Sequence, residues 1–201
     1  MKKSIKIVLI TALTLLSGCT ITTPSKAEYR ISPRIEVQSN EESSCKEKSL
    51  KIAQAFSASS LMSTKMKYTY DEAQEFTYTE SAWSRSPSRA ITAALLSSVR
   101  GTHLFKSVNS YKSRSRSNLI LETNIEEFIQ HYEEENQKSF VKVIISFSLV
   151  DSKTSKIIDT ETISVKVDTK SLNAEGGAVA LNSALDKLLI KNNEWLGSLC
   201  R

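Results

Sequence analysis

The chain has 201 residues, 40% hydrophobic and 24% charged, which is enough for one domain with its own core. It contains 27 lysines and arginines against 22 acidic residues, and two histidines. Three lysines lie in the first six residues, and without them the balance is 24 basic to 22 acidic residues, which gives no case for nucleic-acid binding.

The first 18 residues have the three parts of an export signal. Three lysines precede an apolar run over residues 7–16, and the small residues Ser17 and Gly18 precede Cys19. The apolar run has about ten residues, whereas a membrane-spanning helix needs roughly twenty. We therefore predict that residues 1–18 are a lipoprotein signal peptide that is removed, and an ordinary secretory signal with a chance cysteine is the alternative.

The residues at the end of this signal are typical of lipid attachment. Leu16-Ser17-Gly18-Cys19 resembles the lipobox of bacterial lipoproteins, in which a cysteine thiolate receives a diacylglycerol and becomes the acylated N-terminus. The resemblance implies that Cys19 is lipidated and that its acyl chains hold the protein at a membrane. Thr20 stands where Asp favours inner-membrane retention in enterobacterial lipoproteins. We therefore expect the periplasmic face of the outer membrane, with the inner membrane as the alternative.

The two remaining cysteines are predicted to form a disulfide. Residues 19–48 are polar and weakly patterned, so we interpret them as a lipidated N-terminus and flexible tether before a folded domain over residues 49–201. Once Cys19 carries lipid, Cys45 and Cys200 remain in an exported, oxidising compartment. We predict that these two pair, and two free thiols are the alternative.

Alternating apolar and polar residues predict the strands of the domain. We place them near residues 50–56, 66–70, 76–78, 104–108, 119–128, 141–149 and 163–167. The longest alternation runs from Val141 to Leu149. A turn-rich stretch over residues 151–156 follows it, so the last two strands are expected to pair antiparallel.

Two helices complete the predicted fold. Ser86-Pro87-Ser88 starts the first, which presents one apolar face and ends at Gly101. The second begins near Ala174, and Asn192 is the one polar interruption of its apolar stripe. The stripe consists of Leu181, Leu185, Leu188, Trp195 and Leu199. We predict a single α+β domain with a mostly antiparallel sheet and two helices packed on one face.

No motif in the sequence points to catalysis, a cofactor or a metal. His103 and His131 have no neighbouring cysteines or carboxylates at metal-ligand spacing, and we interpret both as surface residues in turns. Gly176-Gly177 is interpreted as a hinge before the last helix, with a phosphate cradle as the alternative. The chain is therefore not expected to be an enzyme.

Two groups of side chains are candidates for a binding surface. A basic, serine-rich loop contains Lys106, Lys112, Arg114 and Arg116. It could contact anionic headgroups or an acidic partner, or be simply solvated. An aromatic set contains Tyr68, Tyr70, Phe76 and Tyr78. It could line a lipid or protein surface, or pack within the sheet.

The order and spacing of several elements resemble a known family. They are Met66-Lys67-Tyr68, Trp83 before the first helix, Leu104-Phe105, Leu119-Ile120-Leu121, Asp151 at a turn, Asn182-Ser183-Ala184-Leu185 and Trp195-Leu196. From Ser49 to Leu199 they resemble the ABC-type transport auxiliary lipoprotein family, the PqiC-like proteins. The sequence departs from that family where Ala53-Gln54-Ala55-Phe56 replaces a proline-rich opening strand.

The resemblance implies a role without catalysis. It suggests the lipoprotein partner of a phospholipid transporter that consists of an ATPase, a permease and an MCE-domain protein, and that supports outer-membrane integrity. The anchored domain would dock the periplasmic end of the MCE assembly, and a homo-oligomer is compatible with the family. A structural or assembly lipoprotein of the envelope, unrelated to lipid transport, remains the alternative, with an outward-facing adhesin as a weaker one.

Overall fold

A computed structural model describes residues 25–34, 43–70, 74–133 and 137–201. Cys19 and the predicted signal peptide lie outside the described residues. The strands are β1 Ala27–Tyr29, β2 Ser49–Ile52, β3 Phe56–Ser57, β4 Lys65–Thr69, β5 Glu75–Trp83, β6 Ser107–Ser110, β7 Leu119–Glu133, β8 Lys138–Asp151 and β9 Lys156–Asp168. The helices are a 3₁₀ turn Ser59–Met62, α1 Pro87–Gly101 and α2 Ala174–Leu199.

All described strands belong to one sheet, with β7 at its centre. Along one edge β7 pairs antiparallel with β8, from Leu119 opposite Asp151 to Glu133 opposite Lys138, and β9 follows β8. Along the other edge β2, β3 and β4 lie one after another, all parallel to β7. These three short strands therefore occupy the place that one long strand beside β7 would take. On their far side β6 pairs with β2, β5 with β4, and β1 with β5.

The predicted α+β class is confirmed, although the sheet is more mixed than predicted. The hairpins β4–β5, β7–β8 and β8–β9 are antiparallel. The other pairings are parallel, namely β1 with β5, β2 with β6, and β2, β3 and β4 with β7. Sequence patterns identify strands but not the direction in which distant strands pair. The long hairpins were predictable because their partners are neighbours along the chain.

The strand predicted over residues 50–56 is divided in two. At Ala55 the backbone leaves the sheet and bonds to helix α1: its N–H donates to Thr92 Oγ1 at 3.0 Å, and its carbonyl accepts from Ser88 Oγ at 2.7 Å. These side chains replace the ladder bonds that a continuous strand would make, so the buried backbone remains paired.

Both helices pack on the same face of the sheet, as predicted. Helix α2 lies on β7, β8 and β9, while α1 lies on β2 and β6 and contacts α2. The face beneath them is formed by every second residue of β8, all fully or almost fully buried: Val141, Val143, Ile145, Phe147 and Leu149. Ile91, Leu95 and Val99 of α1 are fully buried against it. In the part of the chain described, neither helix is long and apolar enough to cross a membrane.

Candidate interaction surfaces

Residues 25–34, which lie within the segment predicted as a tether, contact the folded domain. They add β1 to the edge of the sheet, with Ala27 opposite Ser81, and then run along α2. We call residues 30–34 the strap. The backbone N–H groups of Ser32 and Arg34 donate to Asn182 Oδ1 and Asp186 Oδ1, both at 2.7 Å. Part of the predicted tether therefore belongs to the folded domain.

A cleft of 590 Å³ lies between the strap and α1. Arg30 and Arg85 stand at its walls, and its floor is made of small residues of α1, namely Ala90, Ala93, Ala94, Ser97 and Ser98. Beside it, burial raises the pKa of the Asp186 carboxyl, and the bond from the Arg34 backbone opposes this shift. The small side chains of α1 leave this space between the helix and the strap open.

A disulfide joins Cys45 to Cys200, the pair predicted from the sequence. Their Cα atoms are 5.3 Å apart, and the two residues are 3% and 1% exposed. The Ser44 N–H also donates to the Cys200 carbonyl at 2.8 Å. The bond fixes the chain before β2 to the end of α2, across a separation of 155 residues.

Five aromatic rings form a cluster at the end of the sheet beside the start of α2. We call them the aromatic cluster: Tyr68, Tyr70, Phe76, Tyr78 and Tyr132. Tyr68 lies at its centre, with ring centroids 4.5 Å from Tyr78 and 5.5 Å from Tyr132. Tyr132 is buried and Tyr70 is 48% exposed, so the cluster is covered beneath and open at its rim. The aromatic residues identified in the sequence thus pack within the sheet on one side of the cluster and are exposed at its rim.

Hydrogen bonds fix the buried side of the cluster. The Tyr78 phenol donates to Gln130 Oε1 at 3.0 Å and lies 2.6 Å from the Tyr132 phenol. Gln130 Nε2 donates to Ser139 Oγ at 2.9 Å, so its fully buried amide is paired at both ends. Burial and the bond to Tyr132 raise the pKa of Tyr78, and burial also raises the pKa values of Tyr68 and Tyr132. Gln130 was not identified from the sequence, because a glutamine residue does not by itself indicate burial.

The two glycines at the start of α2 make close packing possible. A Cβ atom at Gly177 would overlap the Gln130 side-chain oxygen, and one at Gly176 would overlap the backbone of Ser171. Asn173 caps the helix, and its Oδ1 accepts from the Gly176 N–H at 2.9 Å. The predicted hinge is therefore wrong, because both glycines lie buried within the first turn of the helix.

The opposite end of the sheet is basic. We call Lys48, Lys51, Arg116 and Lys153 the basic end. They line a cleft of 720 Å³ where β7 begins and β8 ends, with Asp151 as the acidic residue of its wall. Bonds from the backbone and side chain of Thr154 lower the pKa of Asp151. Of the predicted basic loop, Arg116 contributes to this cleft, while Lys106 pairs with Glu47 at 3.3 Å.

The two histidines occupy different environments. His103 follows α1 with a positive φ of 54°, as expected for a turn. The prediction of a turn at His131 is wrong, because this residue lies within β7, stacked on Phe140 and 2.6 Å from a Glu127 carboxylate oxygen. In the residues described, no three histidine, cysteine or carboxylate side chains are grouped so as to hold a metal ion.

Solved structures share this fold at low sequence identity. A crystal structure of a Xanthomonas campestris protein of the family DUF330 superposes with a TM-score of 0.75 at 14% identity, covering 86% of this chain and 95% of that one. A crystal structure of an uncharacterized protein gives a TM-score of 0.65 at 11% identity, covering 86% and 99%. No protein-family model matches the sequence, and neither does any curated protein. At such identities the likeness concerns the fold alone.

Proposed function

We propose that the chain is a lipid-anchored periplasmic subunit of an ABC/MCE-type phospholipid transport system at the outer membrane. The observation that carries the proposal is the combination of a lipobox ending at Cys19 with one folded domain of this topology. In this role the protein binds and aligns its partners and catalyses no reaction.

The fold supports the proposal. Proteins of the family DUF330 have the PqiC-like fold, and one of them superposes on most of this chain. The resemblance of the sequence to PqiC-like lipoproteins rests on separate observations, namely the order and spacing of residues such as Trp83, Asp151 and Trp195. The assignment to lipid transport rests on that resemblance.

The arrangement of the N-terminal segment also supports a membrane anchor. Cys19 lies six residues before Ser25, the first described residue, and an extended chain of this length spans about 20 Å. The strap then bonds directly to α2 through Asn182 and Asp186. Acyl chains on Cys19 would thus hold the domain close to the membrane surface. The buried disulfide is compatible with an oxidising compartment outside the cytosol.

Docking of an MCE-domain protein and self-association belong to the same proposal. Among the described strands β9 pairs with β8 alone, so its other edge has backbone groups able to pair with a second chain. The basic end presents four cations around a cleft that would suit an acidic segment of a partner.

Crosslinking in intact cells, followed by mass spectrometry of the captured partners, tests the proposal. We expect an MCE-domain protein among them, and we expect its capture to be lost in the matched Cys19→Ser variant, which cannot be lipidated. Capture of cell-wall or secretion components, with no MCE-domain protein, would instead favour the structural or assembly alternative.

A further inference from the structure

We propose that the aromatic cluster rests against the headgroup region of the membrane that carries the lipid anchor. The inference depends on the proposed lipidation of Cys19, and it adds an orientation: the aromatic end faces that membrane, and the basic end points away from it. Three observations carry it, namely the direction in which the N-terminal segment leaves the domain, the length of sheet between the two ends, and the chemistry of the exposed rings.

The register of β1 gives the direction of the anchor. β1 runs parallel to β5, with Ala27 opposite Ser81 and Tyr29 opposite Trp83. Following the chain back from Ala27 therefore leads toward the beginning of β5, where Phe76 and Tyr78 lie. The chain between Ser25 and the lipidated residue then spans at most about 20 Å. A lipid anchor at Cys19 is thus within about 20 Å of Ser25, on the side toward which the start of β1 points.

The aromatic cluster and the basic end lie at opposite ends of β7. Tyr68 is opposite Gln130 on β7, and Leu50, next to the basic end, is opposite Leu119. The two positions on β7 are eleven residues apart, or about 36 Å at the rise of an extended strand. A membrane that contacts the aromatic cluster therefore leaves the basic end facing the opposite direction.

The exposed rings have the chemistry of a membrane interface. Tyrosine combines an apolar ring with a polar hydroxyl, and tyrosines are enriched where proteins meet lipid headgroups. Tyr70 is the most exposed ring of the cluster, and it contacts both Phe76 and Tyr132. Hydrogen bonds already fix Tyr78 and Tyr132 beneath the exposed rings. Contact of the rim with lipid therefore costs no further loss of side-chain freedom in these two residues.

The described charges beside the cluster are of both signs and largely paired. Lys67 is paired with Glu75, and Lys166 with Glu133 at 3.7 Å, so these lysines next to the cluster are partly neutralised. Lys138 also lies at this end, opposite Glu133 in the register of β7 and β8. The described charges therefore do not require an anionic surface, and zwitterionic headgroups such as phosphatidylethanolamine suit the exposed rings.

Quenching by brominated lipid tests the orientation in the lipidated full-length mature protein. Tyr70→Trp places a reporter on the aromatic cluster, and Lys112→Trp, the matched control, places one in the loop before the basic end. Each variant is reconstituted into phosphatidylethanolamine–phosphatidylcholine vesicles brominated near the headgroups, and the signal of Trp83 and Trp195 in the unmodified protein is subtracted. Flotation of the vesicles first shows whether the protein is attached.

The proposal predicts that both variants float with the vesicles and that quenching at residue 70 exceeds quenching at residue 112 by about twofold or more. Flotation with equal quenching, or with more quenching at residue 112, would overturn the orientation while leaving the anchor intact. Protein that does not float would overturn the anchor, and with it the orientation.

Discussion

The phenol oxygens of Tyr78 and Tyr132 lie 2.6 Å apart, although the two residues are separated by 54 positions in the sequence. This contact joins β5 to β7 across β4 and fixes one end of the sheet. Tyr78 also donates to the buried amide of Gln130, so the network links the aromatic cluster to the start of α2. The surface that we propose to face the membrane is thus continuous with the core of the domain.

Alkaline pH should destabilise the protein through this network. Burial raises the pKa of Tyr78 in the folded protein above its ordinary value of 10.0, whereas the unfolded phenol ionises near that value. As the pH rises above 10, the phenol of Tyr78 therefore ionises in the unfolded state before it ionises in the folded state. This ionisation favours unfolding, so the free energy of unfolding falls with rising pH, whereas below pH 10 it is unaffected by this group. Tyr78→Phe should make the decline of the unfolding free energy between pH 9 and about 11 shallower, as measured by urea denaturation.

The matched control for this experiment is Tyr111→Phe. Tyr111 is exposed and lies outside the aromatic cluster, so its replacement should leave the alkaline decline unchanged. An equally steep decline in Tyr78→Phe and the unmodified protein would contradict the assignment of this effect to Tyr78.

Replacement of two glycines of α2 by alanine should change the stability of the protein in opposite directions. At Gly177 the added methyl group would displace the Gln130 side chain and disturb buried hydrogen bonds, at a cost of about 1–3 kcal/mol. At Gly197 nothing lies within 4 Å of the added atom, so the higher helix propensity of alanine should stabilise by about 0.5–1 kcal/mol. Thermal unfolding of both variants tests the pair. A stabilised Gly177→Ala would show that the close contact with Gln130 is not present in solution.

Loss of the disulfide should reduce stability substantially. The bond closes a loop of 155 residues, for which the chain-entropy estimate is about 5 kcal/mol as an upper figure. Mass spectrometry after alkylation, with and without prior reduction, should show both cysteines protected until reduction. Cys45→Ser combined with Cys200→Ser should lower the unfolding free energy. Two thiols alkylated without reduction in the exported protein would mean that the bond does not form.

Asn192 should be replaceable by an apolar residue with a gain in stability. The side chain is fully buried on α2, and neither its oxygen nor its nitrogen has a hydrogen-bond partner in the described structure. Asn192→Leu removes this cost and should stabilise by about 1–3 kcal/mol. Asn182→Leu is the opposing control, because Asn182 bonds to Arg30 and Ser32 of the N-terminal segment and its loss should destabilise. A loss of stability in Asn192→Leu would contradict the assignment of a net cost to the unpaired amide.

The long elements of the fold were predictable because each carries its own periodic signal. β8 alternates buried and outward residues from Val141 to Leu149, and α1 repeats its apolar residues every four positions, so local sequence determines both. β1 was missed because Ala27–Tyr29 is a three-residue strand whose pairing with β5 depends on residues far along the chain. The division of the strand near Ala55 depends on hydroxyl groups of α1, which no local pattern indicates.

The candidate interaction surfaces were predictable only in part. The tyrosines and the basic loop could be identified from composition, but the location of the tyrosines and of Arg116 at opposite ends of β7 follows from the pairing of β4 and β2 with that strand. Gln130 illustrates the difficulty: it lies between Ile129 and His131 in the sequence, and only the packing of Gly177 onto β7 explains why it is buried.

Metabolic labelling with a clickable palmitate analogue, followed by fractionation of the cells, tests the central claim most directly. We expect label on the exported chain in the outer-membrane fraction, an N-terminus beginning at lipid-modified Cys19, and no label on Cys19→Ser. An unlabelled chain that retains residues 1–18 and remains in the cytosol would contradict the account.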